Sequence, residues 1–460
     1  MQKIFLYNTA TRKKEEFKPL VEGKAGIYSC GPTVYWNQHI GHMYAYTQWG
    51  TLVNFLRYIG YDVKWVMNLT DVGHMTSDED RGEDKMEKGA KREGISVWDI
   101  AKKYEKQFVE SLEAFNIQRP DVLCRATEHI AEQVGLAEKI EKNGFAYLTK
   151  TGLVYDTSKF TDYPKFANLK LNKMESGARV KVDPEKKNAW DFLLWVTNQP
   201  DHIMKWDSPW GQGFPGWHLE CTAMSTKYLG ETFDIHTGGI EHIGVHHTNE
   251  IAQGYGAFGH QTANYWMHNA WLTLKGGEKM SKSLGNGYTA GQLKEMGFDP
   301  LAYKYLVLTS HYRGGLEFSL DSLKASQTAL LKLRNLIASW PEGGAVDENY
   351  KQQFVNLLAD DLQISEVLAL IWKLTKDEKI DDKDRRETLL DFDKVLGLKL
   401  GKSVIEEIPE EIKKLAGERL KARMDKNWTE SDRLREAIKE RGYEIEDLKN
   451  DCKIRKIMLS

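Results

Sequence analysis

The sequence predicts an α/β fold: a parallel sheet flanked by helices and split by an insertion, then an all-helical part, then a small C-terminal unit. Three observations carry this. A strand, helix, strand succession opens the pattern between residues 25 and 69, and the same alternation returns from residue 189. From Thr289 onward, apolar residues recur almost only at spacings of three and four, the helical period. At 460 residues the chain accommodates roughly two to four domains with a sizeable core.

The elements follow in order. "AGIYSC" reads as a strand, and "GHMYAYTQWGTLVNFLRYIG" as a helix stopped by Gly60. "YDVKWVMNL" alternates as the next strand, which completes the unit from which parallel sheets with a ligand crevice are built. Helices are expected at about 97–115 and 127–142. "FAYLTKTGLVYDT" reads as a hairpin turning at 150–152, the start of an insertion. "AWDFLLWV", helix "WHLECTAMSTKYLG", strand "FDIH", helix "HHTNEIAQGYGAF" and strand "NYWMHNAWLTL" resume the α/β alternation. "SLKASQTALLKLRNLIASW" and "TLLDFDKVLGL" are helical, "PEGGAVDENY" is a loop and "GKSVIEEIPEE" a linker. In the final unit Thr429 and Asp432 have capping-box spacing and Gly442 is the stop. There is no internal repeat.

Composition excludes several classes. Charged residues are 28% and hydrophobic ones 41%, the mix of a soluble globular protein, and no apolar run approaches the ~20 residues of a membrane span. The N-terminus lacks the apolar stretch of a secretory signal, so a cytoplasmic protein is expected. Four widely spaced cysteines are no disulfide framework; metal or catalytic roles suit any that function. With a net charge of -3, nucleic-acid binding would need a local basic patch.

Two short motifs suggest phosphate chemistry. In "HIGH", His39 and His42 are three apart around Gly41 where a helix begins, so backbone amides and imidazoles can face one anion such as a triphosphate. In "GGEKMSKSLGN", a glycine-rich loop after a strand carries Lys279 and Lys282, point charges suited to pyrophosphate as it leaves. A third pattern suits a metal. His246 and Glu250 of "HHTNE" are four apart on one helix face, with His247 pointing about a third of a turn away. Cys30 and Cys221 lie at junctions of the α/β core, and two thiolates, an imidazole and a carboxylate are acceptable zinc ligands.

The pair "HIGH" and "KMSKS" resembles the signature of class I aminoacyl-tRNA synthetases. With "CGPTVYWNQHIGH", "GWHLEC" and "HHTNE", the chain resembles the cysteinyl-tRNA synthetase family over essentially its whole length. That resemblance implies a Rossmann-type catalytic domain (1–144 and 189–275) split by a connective insertion (145–188). After it come a KMSKS and stem-contact region (276–330), a helical bundle (331–400) and an anticodon-binding unit (401–460). It implies zinc held by Cys30, Cys221, His246 and Glu250, and triphosphate contacts from His39 and His42. Lys279 and Lys282 would stabilise the transition state. Gly41, Gly238 and Gly239 would lie against the nucleotide. Gly31, Thr33, Thr70, Trp217 and His236 would surround cysteine, Thr70 at its amino group and Trp217 as an aromatic wall.

The implied substrates are L-cysteine, ATP with magnesium, and tRNA(Cys), and the implied state is a monomer. Zinc favours a thiolate over a serine hydroxyl, so no editing site is needed, and the insertion is too short for one. Departures from the family pattern are Thr248 and Glu241, where relatives commonly carry Glu and Asp. The acidic stretch 71–88 reads as a solvated loop without chemistry, and the C-terminal tail lacks a tryptophan of some relatives. Two alternatives remain open at this level: a cysteine ligase acting on an amino-sugar, and a catalytically silent RNA-binding paralogue.

Overall fold

A computed structural model describes residues 2–73, 84–169, 184–274, 276, 287–402, 409–447 and 452–456. After a small hairpin, β1 (Phe5–Asn8) and β2 (Lys13–Glu16), comes the expected unit of β3 (Lys24–Ser29), α1 (Ile40–Tyr58) and β4 (Asp62–Leu69). Gly60, just past the end of α1, has φ +98°, the left-handed conformation that suits a glycine stop. Ile40, Trp49, Leu52, Phe55 and Leu56 are all 1% exposed or less. Such all-round burial marks a core helix, and each of these side chains contributes roughly 1.5–3 kcal/mol.

The chain continues through α2 (Lys85–Glu93), α3 (Val97–Ala114), β5 (Val122–Arg125) and α4 (Ile130–Lys142). The acidic stretch is not wholly a solvated loop. Residues 74–83 lie outside the described set, but both flanks are buried: Asp84 caps α2 and accepts from His202 Nε2 at 2.8 Å. On the other flank, the Asp71 carboxylate accepts from the backbone N–H of Thr127 (2.9 Å) and from its hydroxyl. Burial outweighs these bonds and pushes the Asp71 carboxyl from 3.8 up to about 6. Its folded value lies above the unfolded one, so its contribution is complete below pH 3.8 and is lost as pH rises through about 6. Asp71→Asn should therefore gain stability on the parent chain between about pH 4 and about pH 7, by up to about 3 kcal/mol in urea unfolding.

The insertion is larger than the expected 145–188. β6 (Ala146–Thr149) and β7 (Gly152–Tyr155) form the expected hairpin, but β8 (Phe192–Thr197) pairs antiparallel with β7, and β9 (Gly213–Pro215) with β8. "AWDFLLWV" thus belongs to this four-stranded antiparallel sheet and not to the parallel one. Burial of all of Phe192–Val196 makes its pattern identical to that of a parallel core strand.

The α/β alternation resumes with α5 (Trp217–Leu229), β10 (Phe233–Gly239), α6 (His246–Phe258) and β11 (Ala263–Asn269). The parallel sheet runs β11-β10-β3-β4-β5. The chain enters at β3, builds outward one way, then returns to build the other way. The order reverses between β3 and β10, where ligands bind in such sheets, and Cys30 stands at that point. "NYWMHNAWLTL" breaks after β11, and β12 (Leu272–Leu274) pairs instead with β13 (Leu316–Phe318).

The remainder is helical as expected: α7 (Ala290–Glu295), α8 (Pro300–Leu308), α9 (Leu320–Ser339), α10 (Glu348–Ala359), α11 (Ile364–Leu374) and α12 (Asp382–Leu396). Between α10 and α11, Asp361 and Leu362 both take left-handed φ values, 61° and 55°. For residues other than glycine this strain costs on the order of 1–3 kcal/mol each. Three bonds from two segments hold it in place: Asp361 accepts from the backbone N–H of Tyr7 (2.8 Å), the hydroxyl of Tyr312 (2.7 Å) and the guanidinium of Arg313 (2.8 Å).

The C-terminal unit holds α13 (Glu410–Met424), α14 (Trp428–Glu440) and a hairpin, β14 (Tyr443–Asp447) with β15 (Cys452–Lys456). Its cap differs from expectation. Asn427, not Thr429, caps α14, with its side chain accepting from Glu430 N–H. Gly442 has φ +80°, as a stop requires. Ile412, Ala416, Ile438 and Ile445 form a core of their own. Among the described residues, no helix is long and apolar enough to cross a membrane.

Candidate active site

Beyond β3 the chain stays beside β4. Gly31 N–H donates to Asn68 Oδ1 (2.8 Å), Thr70 N–H to Pro32 O (3.1 Å) and Val34 N–H to Thr70 O (3.1 Å). Thr33 therefore sits opposite Thr70. A Cβ on Gly31 would stand 1.7 Å from the Asn68 carbonyl oxygen, so this crossing admits only glycine. The Thr70 hydroxyl donates to buried Glu220 at 3.1 Å, which places a carboxylate that sequence reasoning missed beside the position assigned to the amino group.

Three of the four expected metal ligands come together, with His247 as a further donor. Ligating atoms of Cys30, His246, His247 and Glu250 lie within 4.8 Å of one another, and Cys30, Glu250 and His246 all act on the charge of the buried Cys221 thiol. His247 does not turn away as its spacing suggested: its Nε2 is 3.3 Å from Cys30 Sγ, and its Nδ1 is 2.7 Å from His268 Nε2. His236 Nε2 holds one Glu250 oxygen at 2.9 Å, while His218 meets His246 through their Nδ1 atoms at 2.9 Å. These outer partners orient the ligating groups. His246 Nε2 and the other Glu250 oxygen face one another at 3.0 Å, both buried and neither completing a hydrogen bond. Buried atoms are rarely left so, and soft thiols, imidazole and carboxylate around them fit a zinc ion.

The charges agree with that fit. Burial, then the neighbouring Cys221, pushes the Cys30 thiol well up. Burial opposes ionisation of Cys221 as well, yet the neighbouring Cys30 and the charge on His246 bring it down to about 7. Burial likewise opposes the His246 cation, but Cys221 and Glu250 raise that imidazole to about 10. Glu250, against the effect of burial, is held down to about 2 by His236 and His246. Trp217, first residue of α5, stands with its ring 4.2 Å from that of His246, forming a wall over the cluster.

At the start of α1 the two imidazoles cap the helix. His39 accepts from Gly41 N–H (3.1 Å), and His42 Nδ1 accepts from His39 N–H (3.3 Å). Lys279 and Lys282 lie outside the described residues. The segment just after them reaches this helix: Ile40 N–H donates to Tyr288 O at 2.8 Å, and a Cβ on Gly287 would be 2.9 Å from His39 Cβ. At the end of β10 the space beside each glycine is taken by a protein side chain. A Cβ on Gly238 would meet His247 at 2.6 Å and His242 at 2.8 Å, and one on Gly239 would meet the Glu241 carboxylate at 2.5 Å.

Comparison with known proteins agrees with this geometry. Residues 16–328 match the family model described as tRNA synthetases class I (C) catalytic domain. Among solved structures, a methionyl-tRNA synthetase of Mycobacterium tuberculosis in complex with methionyl-adenylate is similar at TM-score 0.56 and 15% identity, over 82% of this chain and 90% of that one. A LeuRS of Agrobacterium radiobacter K84 in a ternary complex with tRNA and LeuAMS gives TM-score 0.56 at 11% identity, over 83% and 84%. Those two likenesses concern the fold alone; with the family match, they define a class I aminoacyl-tRNA synthetase. Cysteine–tRNA ligase 1 of Burkholderia lata is 47% identical over 96% of this chain and 95% of its own length, and cysteine–tRNA ligase of Treponema denticola 43% over 96% and 97%. The chain belongs to the cysteine–tRNA ligase family.

Proposed function

We propose that the chain couples L-cysteine to ATP, giving cysteinyl-adenylate and pyrophosphate, and passes the cysteinyl group to the 3′ end of tRNA(Cys). The observation that carries this is the cluster of Cys30, His246 and Glu250, with its orphaned Nε2 and Oε1 and with the buried Cys221 thiol acting on it, at the strand-order reversal of the parallel sheet. Those four residues would hold zinc; when bound, the ion supplies a Lewis acid that prefers a thiolate to an alcohol. The chain's own groups do the rest. Glu220 and Thr70 offer an anionic, hydrogen-bonding corner for the substrate ammonium. Trp217 closes the pocket against water, and His236 fixes the rotamer of Glu250.

His39 and His42, which cap the positive end of α1, would receive the phosphates, with magnesium accompanying ATP. Lys279 and Lys282 are assigned to the leaving pyrophosphate on their motif alone. Activation needs no covalent nucleophile, since alignment of carboxylate with α-phosphate and stabilisation of departing charge supply the acceleration. The reading as cytoplasmic rests on composition and the N-terminal sequence, and the reading as a monomer on the family resemblance.

Incubation with total tRNA and labelled cysteine should give acid-precipitable, tRNA-bound label, and labelled serine should not. Transfer to an amino-sugar acceptor with none to tRNA would overturn the reading in favour of the other ligase. Failure to form adenylate at all would favour the silent paralogue.

A further inference from the structure

Three polar groups branch from the α-carbon of cysteine, and the pocket presents a wall to each. The thiol belongs to the metal-ligating cluster, and the ammonium to the corner of Thr70 and Glu220. The third wall is the turn between β10 and α6, which carries His242. This ring stands 5.9 Å from Trp217 and 5.1 Å from both His246 and His247. Its Nδ1 is buried and has no hydrogen-bond partner among the described residues. The bare backbone of Gly238 lets the ring in, because a Cβ there would be 2.8 Å from that nitrogen. A buried polar atom is costly to leave unmade, so Nδ1 fits a site completed by a ligand. Of the three substrate groups, only the carboxylate lacks a partner from the other two walls.

We propose that His242 binds the carboxylate of the amino-acid substrate, donating from Nδ1–H and so fixing the oxygen that attacks ATP. The inference rests on the reading of this pocket as a cysteine site. At pH 8, above the ordinary imidazole value of about 6.5, the ring is neutral and donates from one nitrogen. The bond is made both before and during reaction, so it affects substrate binding more than turnover.

The experiment is ATP–pyrophosphate exchange at pH 8 with zinc-loaded parent chain, His242→Leu and His242→Asn, using cysteamine, which keeps thiol and amine but lacks the carboxylate, as a competitive inhibitor. His242→Leu should raise KM for cysteine roughly tenfold to a hundredfold, the range for a hydrogen bond to a charged group. Its kcat, its zinc content and the Ki of cysteamine should stay unchanged. His242→Asn, whose amide nitrogen lies near the position of Nδ1, should restore most of the affinity. An unchanged KM, equal losses for cysteine and cysteamine, or a fall in zinc content would each overturn the proposal. A parent chain without cysteine-dependent exchange would instead overturn the underlying assignment of the amino acid.

Discussion

Cys221→Ser is expected to abolish cysteine-dependent pyrophosphate exchange and to strip the chain of zinc. Cys221 lies on α5 at 1% exposure, and the neighbouring Cys30 and His246 bring its thiol down to about 7 against the effect of burial. A serine hydroxyl there stays protonated and is a poor ligand, so Cys30, His246 and Glu250 are left one soft anion short of a full ligand set. Removing an outer partner of a metal ligand already costs 10–100-fold in affinity or activity. Loss of the ligand itself should exceed about 100-fold in both. Metal analysis of the purified variant, with circular dichroism to confirm the fold, separates metal loss from unfolding. A folded variant that retains zinc and full exchange activity would sink the metal assignment.

The second large effect concerns the end of the chain. Truncation after Lys402 should leave cysteine-dependent exchange within about twofold of the parent and reduce charging of tRNA by at least about 100-fold. The core of Ile412, Ala416, Ile438 and Ile445 is separate from the main one, which includes Leu398 and Leu400, so the cut falls between two cores. Base-reading side chains are worth about 1–3 kcal/mol each, and two of them account for a hundredfold. Equal loss of both activities would show instead that the unit supports the catalytic domain.

Parts of this molecule were legible in the sequence for identifiable reasons. The β3-α1-β4 unit was legible because its periods switch cleanly from two to 3.6 and Gly60 marks the boundary. β8 was misplaced because burial on both faces erases alternation, and only its antiparallel pairing with β7 distinguishes it. Cap placement at Asn427 over Thr429 turned on two short polar residues of similar capping ability two positions apart. In the site, His246 and Glu250 share a helical spacing, but Cys30 and Cys221 joined them only through family resemblance, since no local pattern encodes tertiary closeness. His247 was misread because its spacing fixes direction around α6 and says nothing about which strand end approaches it. Glu220 and His242 left no signal at all; each is ordinary in its local sequence and gains meaning from what surrounds it.

The clasp at Asp361 also bears on how the protein is made. Tyr7 donates to a residue 354 positions later, and without that bond, those from Tyr312 and Arg313, and the packing around them, nothing sustains two adjacent left-handed residues. At about 5–20 residues per second of synthesis, the N-terminal hairpin waits roughly 20–70 s for its partner to leave the ribosome. For the last part of that interval the hairpin already has β11 as a partner, Thr9 N–H donating to Trp266 O (2.8 Å) and Asn8 Nδ2 to Asn264 O (2.9 Å). The bond that completes the strained turn is thus made late in synthesis, and this makes the turn at Asp361 a natural point of engagement for chaperones during translation.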